Sequence, residues 1–175
     1  MSDGATPAAP DHVIRPAVAD DVPWIYSSWI KSYREAGEAI QKDPKVVSTR
    51  QIRYGRIPYR SFRTGYRAIM ERVTGREGVV TIVACNPACR EQVRGWVCGS
   101  VTPDGAVLHY AHVKSEWRQQ GIAKALVMAL GIAPETKVEY TNHTMLSWLL
   151  NSRLLTLPLE DVVPESWIYN PYLFA

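Results

Sequence analysis

A mixed α/β fold, with a mostly antiparallel sheet flanked by helices and a parallel strand pair at its centre, is predicted by five stretches of the 175-residue chain. Val79–Ala84 and Val93–Thr102 are β-prone runs, and Pro103-Asp104-Gly105 is hairpin-turn chemistry leading into a third run, Val107–Val113. Arg118–Leu130 then has helical spacing, with Ile122, Leu126 and Leu130 at intervals of four and Gly131 and Pro134 to end it. Lys137–Thr141 is again β-prone. A strand reached through a crossover helix runs parallel to the strand that preceded the helix, here the one ending at Val113.

The remaining elements follow from local chemistry. Residues Met1–Asp11, rich in Ala and Pro, are expected to form a disordered leader, with residues 12–175 as one domain. Val13–Ala17 is expected as the first strand. Asp20 or Asp21 can cap a helix from Val22 to Ala36, with Pro23 tolerated in its first turn and Gly37 as its end. Lys42-Asp43-Pro44 marks a break, and a second helix falls within Ser48–Val73, interrupted near Gly55–Pro58. Asn142 can cap a further helix over His143–Leu155. Trp167–Phe174 is expected as an edge strand, its pairing limited by Pro171.

Composition narrows the function. Hydrophobic residues make up 46% and charged residues 21%, as in ordinary globular domains. No membrane-span-length apolar run and no signal-peptide pattern is present, so a cytoplasmic protein is expected. Cys85, Cys89 and Cys98 lack C-x-x-C or zinc-ligand spacing, which favours structural thiols and no metal. The net charge of +3 is uneven: Arg50–Arg76 carries eight arginines against Glu71, so this segment holds +7 and the remainder −4.

The strand-turn-helix from Val107 to Gly131 carries the chemistry. The first N–H groups of a helix lack intrahelical acceptors and sit at the positive end of its dipole, so an anion placed there is bound by main chain. Gly121 lets a phosphate approach the backbone, and Arg118 and Lys124 add charge from either side.

Arg118-Gln119-Gln120-Gly121-Ile122-Ala123 resembles the Q/R-x-x-G-x-G/A motif of the GNAT (Gcn5-related) N-acetyltransferases, and His109–Gly121 is similar to the arylalkylamine N-acetyltransferase branch. The opening Ile14-Arg15-Pro16-Ala17 with Asp20-Asp21 resembles the same family's amino terminus. The resemblance implies a GNAT-like fold, acetyl-CoA as acyl donor, and direct attack by an amine-bearing acceptor. It assigns the cofactor to Ala111, Val113, Arg118, Gln119, Gln120, Gly121, Ile122, Ala123, Lys124 and Asn142, with the Val113 N–H at the thioester carbonyl.

Acetyl transfer needs an unprotonated amine, donors for developing oxyanion charge, and a proton for the leaving thiolate. His109 is expected as general base, on the side of the strand shared with Ala111 and Val113 by period-two counting; the alternative is a histidine packed in the sheet and bonded to a carbonyl. His112 is expected on the other face, in a packing role. For the general acid, the family's tyrosine position falls on Leu149. Tyr140 and Tyr110 are the geometric substitutes, Tyr140 being preferred, and water is a third source. The family's Gly-Phe ending of that helix is absent, with Arg153-Leu154 in its place.

Arg50–Arg76 interleaves arginine with Tyr54, Tyr59, Phe62 and Tyr66, a pattern suited to phosphates and unpaired bases, to an acidic protein, or simply to a solvated helix face. A non-catalytic GNAT-fold module that binds nucleic acid or an acidic partner through this segment is the competing reading of the chain.

Overall fold

The computed structural model describes residues 12–42, 58–142, 167–170 and 173, with backbone only for 36–42 and 169. The expected leader, the break after Lys42, the interruption near Gly55 and the helix over His143–Leu155 lie outside the described residues. Six strands form one sheet in the order β1-β2-β3-β4-β5-β6: β1 (Val13–Pro16), β2 (Val80–Asn86), β3 (Cys89–Thr102), β4 (Gly105–Val113), β5 (Val138–Tyr140) and β6 (Trp167–Tyr169). The first four are antiparallel neighbours, while β4–β5 and β5–β6 are parallel. The predicted fold class and the central parallel pair are both present, and the edge strand starting at Trp167 extends the parallel part.

Helices α1 (Val22–Lys42) and α2 (Tyr59–Thr74) cover one face, and α3 (Ile122–Ala129) covers the other. The period of two along β2 divides its side chains accordingly. Val83 and Cys85 join Trp29, Trp96 and Tyr110 under α1 and α2, whereas Ile82 and Ala84 join Val97, Leu108 and Leu126 under α3. Trp29 and Trp96 are fully buried, with ring centroids 5.2 Å apart.

Asp21 joins β1 to α1. Its carboxylate accepts the Val18 N–H at 2.8 Å and both arms of the Arg15 guanidinium at 2.6 and 3.0 Å. Helix α1 corrects one expectation: it runs through Gly37 to Lys42. An interior glycine costs a long helix only about 1 kcal/mol, which its other turns absorb.

Two features of β3 place α3. A β-carbon on Gly99 would lie 2.5 Å from the Val107 carbonyl oxygen and 2.9 Å from Leu130, so only glycine admits α3 and β4 at this approach. Gly99 also faces a β-bulge. Gly99 pairs with Leu108 and Cys98 pairs with Tyr110, which leaves His109 as an extra residue in β4.

Candidate active site

Beyond the bulge, β4 parts from β5. Their ladder runs from Ala106↔Val138 to Leu108↔Tyr140, and the Thr141 N–H donates to the Leu108 carbonyl at 3.1 Å as its last rung. Side chains then take over. The Asn142 amide donates to the His109 carbonyl at 2.8 Å, and its oxygen accepts the Tyr66 hydroxyl of α2 at 3.1 Å. The His109 ring sits 3.3 Å from the Thr141 hydroxyl. His109, Thr141 and Asn142 are all buried, so this polar clamp satisfies the strand where the ladder stops. Asn142→Ala is expected to leave the His109 carbonyl with only the longer Thr141 contact, at a cost of about 1–3 kcal/mol in denaturant unfolding.

Past the clamp, β4 pairs among the described residues with β3 alone. The Lys114 N–H donates to the Arg94 carbonyl at 2.9 Å, and the alternation of an antiparallel ladder then turns the N–H groups of Ala111 and Val113 away from β3, into the gap. The Val113 carbonyl accepts Arg118 Nε at 3.1 Å, which ties the strand end to the following turn.

That turn is built from left-handed residues. Gln119 has φ 65° and Gly121 φ 76°, after a 3-10 turn at Ser115–Trp117 that is held by the buried Arg94 guanidinium stacked 3.7 Å over Trp117. The first α3 bond runs from the Ala125 N–H to the Gly121 carbonyl at 2.9 Å, leaving the N–H groups of Ile122, Ala123 and Lys124 without intrahelical acceptors. A β-carbon on Gly121 would meet nothing within 4 Å, so the space outside the turn is open. Arg118 and Lys124 stand exposed on either side of it.

One cavity of about 560 Å³ connects these parts. Arg118, Gln119, Gly121, Ala123 and Lys124 line one end; Ala111, Val113 and Ile122 line the middle; Ser32, Tyr110 and His112 line the other end. Val113 and Ile122 belong to the α3 face, whereas Tyr110 and His112 lie against α1 residues, so the cavity crosses the sheet through the fork between β4 and β5.

The cavity gathers Ala111, Val113, Arg118, Gln119, Gly121, Ile122, Ala123 and Lys124 of the expected site residues, and His109, Tyr140, Gln120 and Asn142 lie outside its lining. His109 does not line the cavity and does not share a side with Ala111 and Val113, because as the bulge residue it breaks the count of two and turns to Thr141. Tyr140 lies in β5 among the α3-side apolar residues, Gln120 reaches back towards the Glu116 carbonyl, and Asn142 is spent on the clamp; none of them lines the cavity. His112, expected only to pack, does line it. Ser32 went unrecognised, although a serine on the buried face of α1 between Trp29 and Tyr33 is a legible polar signal. On α2, Arg60, Arg63, Arg67 and Arg72 are exposed, while Arg76 donates to the Leu173 carbonyl.

Both histidines are neutral at physiological pH. Burial, with Arg76 nearby, pushes His109 down to about 4, and burial together with Arg118 and Lys114 pushes His112 down to about 4. A histidine depressed in the folded state is protonated first in the unfolded chain. Stability is therefore fully present above about pH 6.5 and is lost as pH falls towards 4. The buried His109 alone contributes a loss on the order of 3 kcal/mol, to be read from denaturant midpoints at pH 7 and pH 4.5.

Among the described residues there is no group of metal-binding side chains, and no helix is long and apolar enough to cross a membrane. Cys85 and Cys98 are buried free thiols, and Cys89 is exposed.

No protein-family profile and no curated protein sequence matches the chain significantly. Solved structures do. The histone acetyltransferase HPA2 and related acetyltransferase from Corynebacterium glutamicum superposes with a TM-score of 0.52 at 14% identity, over 82% of this chain and 83% of that one. A ribosomal-protein-alanine N-acetyltransferase from Brucella melitensis biovar Abortus 2308 gives 0.41 at 18% identity, over 69% and 70%. A GNAT family N-acetyltransferase from Escherichia coli, crystallised in complex with CoA, gives 0.40 at 19% identity, over 71% of this chain and 57% of that one. At 14% identity the first of these likenesses speaks to architecture alone, and this chain shares the mixed α/β fold of that acetyltransferase.

Proposed function

We propose that this protein is an acyl-CoA-dependent N-acyltransferase that uses acetyl-CoA as donor and an amine as acceptor. The observation that carries this reading is the cavity that threads the sheet at the fork and joins the open N-terminus of α3 to His112. Its residues fit the donor. The free N–H groups of Ile122, Ala123 and Lys124, the open space at Gly121 and the flanking Arg118 and Lys124 suit a pyrophosphate. The outward amides of Ala111 and Val113 suit the amide groups of the pantetheine arm, with the Val113 N–H directed at the acyl oxygen.

Bound acetyl-CoA supplies a thioester carbon that accepts a nitrogen lone pair. The amine forms the new C–N bond, the C–S bond breaks with its electron pair leaving on sulfur, and the amine proton passes to His112. His112 takes this role in place of His109 because it lines the cavity and, being neutral, has a free ring nitrogen. Calorimetric titration of the purified protein with acetyl-CoA tests the reading. Saturable 1:1 binding displaced by CoA supports it, and absence of binding overturns it.

A further inference from the structure

The acceptor end of the cavity contains a hydroxyl pair whose proton directions are fixed. Ser32 Oγ donates to the Ser28 carbonyl at 2.6 Å, and a carbonyl can only accept. The single Ser32 proton is therefore committed within α1. Ser32 Oγ and the Tyr110 hydroxyl lie 2.8 Å apart, so the proton in that bond belongs to Tyr110. The Tyr110 oxygen is left with lone pairs alone to offer, and both residues line the cavity. The Tyr110 ring is held in a mutual cluster with Trp29 and Trp96, at centroid distances of 5.1 and 5.5 Å, and Trp96 Nε1 donates to Ser28 Oγ at 2.9 Å.

Two residues further along β4, His112 offers a second lone pair to the same end of the cavity. Among its described lining residues there is no Asp or Glu, so a cationic group is not selected there by charge. A group carrying two N–H bonds satisfies both acceptors.

We infer that Tyr110 is a positioning residue for the acceptor's amino group: its hydroxyl, its own proton committed to Ser32, binds by accepting an N–H hydrogen bond beside His112. The inference rests on the acyltransferase reading and deepens it. Tyr110 orients the nitrogen through one N–H while the other faces His112, which receives the proton during attack. Burial also raises the Tyr110 hydroxyl well above its ordinary range, so it holds its proton throughout.

The probe is n-butylamine, titrated into the CoA-bound protein and followed by tryptophan fluorescence, because Trp29 and Trp96 flank Tyr110. N-Methylbutylamine has one fewer N–H, and butyltrimethylammonium has none. The wild type is expected to bind n-butylamine saturably and to prefer it over N-methylbutylamine. Tyr110→Phe, which keeps the aromatic stack, is expected to weaken n-butylamine at least about tenfold and to leave acetyl-CoA affinity and butyltrimethylammonium binding unchanged. Ser32→Ala, a second variant that releases the Tyr110 proton to turn inward, is expected to weaken n-butylamine by a smaller factor. Equal n-butylamine affinity in wild type and both variants, or none in the wild type, would overturn the inference while acetyl-CoA binding still stands. Failure of the wild type to bind acetyl-CoA would overturn the acyltransferase reading as well.

Discussion

Gly121→Glu is expected to weaken acetyl-CoA binding at least about 100-fold, a loss of about 2.7 kcal/mol. One effect acts on the fold and two act on binding. Gly121 has φ 76°, where a β-carbon costs roughly 1 kcal/mol against the following carbonyl. The new side chain enters the open space outside the turn, where nothing lies within 4 Å of the β-carbon position, and that is the space a pyrophosphate needs. A carboxylate there also offers its own negative charge to the free N–H groups at the start of α3, so it competes with the ligand as an internal anion. The same charge is favourable at a helix N-terminus and offsets part of the backbone strain, so the variant is expected to remain folded. Gly121→Ala separates the effects, since it carries the strain without the charge or the bulk. Calorimetry should show Ala within a few-fold of wild type and Glu without saturable binding. If Glu bound as tightly as Ala, the anion site would lie elsewhere.

The parts of this molecule that were legible in its sequence are those decided by neighbours along the chain. The hairpin turn at Pro103-Asp104-Gly105, the crossover from β4 through α3 to β5, and the turn at Arg118–Gly121 each follow from turn chemistry and periodicity within about a dozen residues. The identity of the histidine at the cavity did not. Period-two counting from Val113 fails at His109 because β4 carries a bulge opposite Cys98 and Gly99 of another strand, where β4 and α3 approach Gly99 too closely for a β-carbon. The hydroxyl pair was hidden for the same reason. Ser32 and Tyr110 are separated by 78 residues, and only the packing of α1 across β4 brings them together. Asn142, expected among the cofactor-binding residues, bonds the His109 carbonyl and the Tyr66 hydroxyl of α2, and that clamp depends on a contact no local pattern announces. The arginine-rich segment divided in a way its composition could not reveal, with four arginines of α2 exposed and Arg76 turned to the Leu173 carbonyl.

Substitution at the two histidines is expected to separate chemistry from scaffold. His112→Gln should lower kcat/KM roughly 100-fold, in the range ordinarily lost with a general base. Glutamine retains hydrogen-bonding capacity beside Trp24 and Trp96 and removes the basic nitrogen, so acetyl-CoA affinity should hold. Because His112 is held down to about 4, it is unprotonated across the working range. The factor between wild type and variant should therefore be nearly the same at pH 6 and pH 9. A base with the ordinary histidine pKa of about 6.5 would give a smaller factor at the lower pH. His109→Gln should behave differently, because its ring meets Thr141 in the clamp and does not reach the cavity. Its expected signature is a lower unfolding midpoint near neutral pH, with kcat/KM changed only a few-fold. Thiol release from acetyl-CoA in the presence of a primary amine reads both variants. A large loss of rate in His109→Gln with an intact His112→Gln would return the base to the bulge and require the β4 backbone to rearrange around it during turnover.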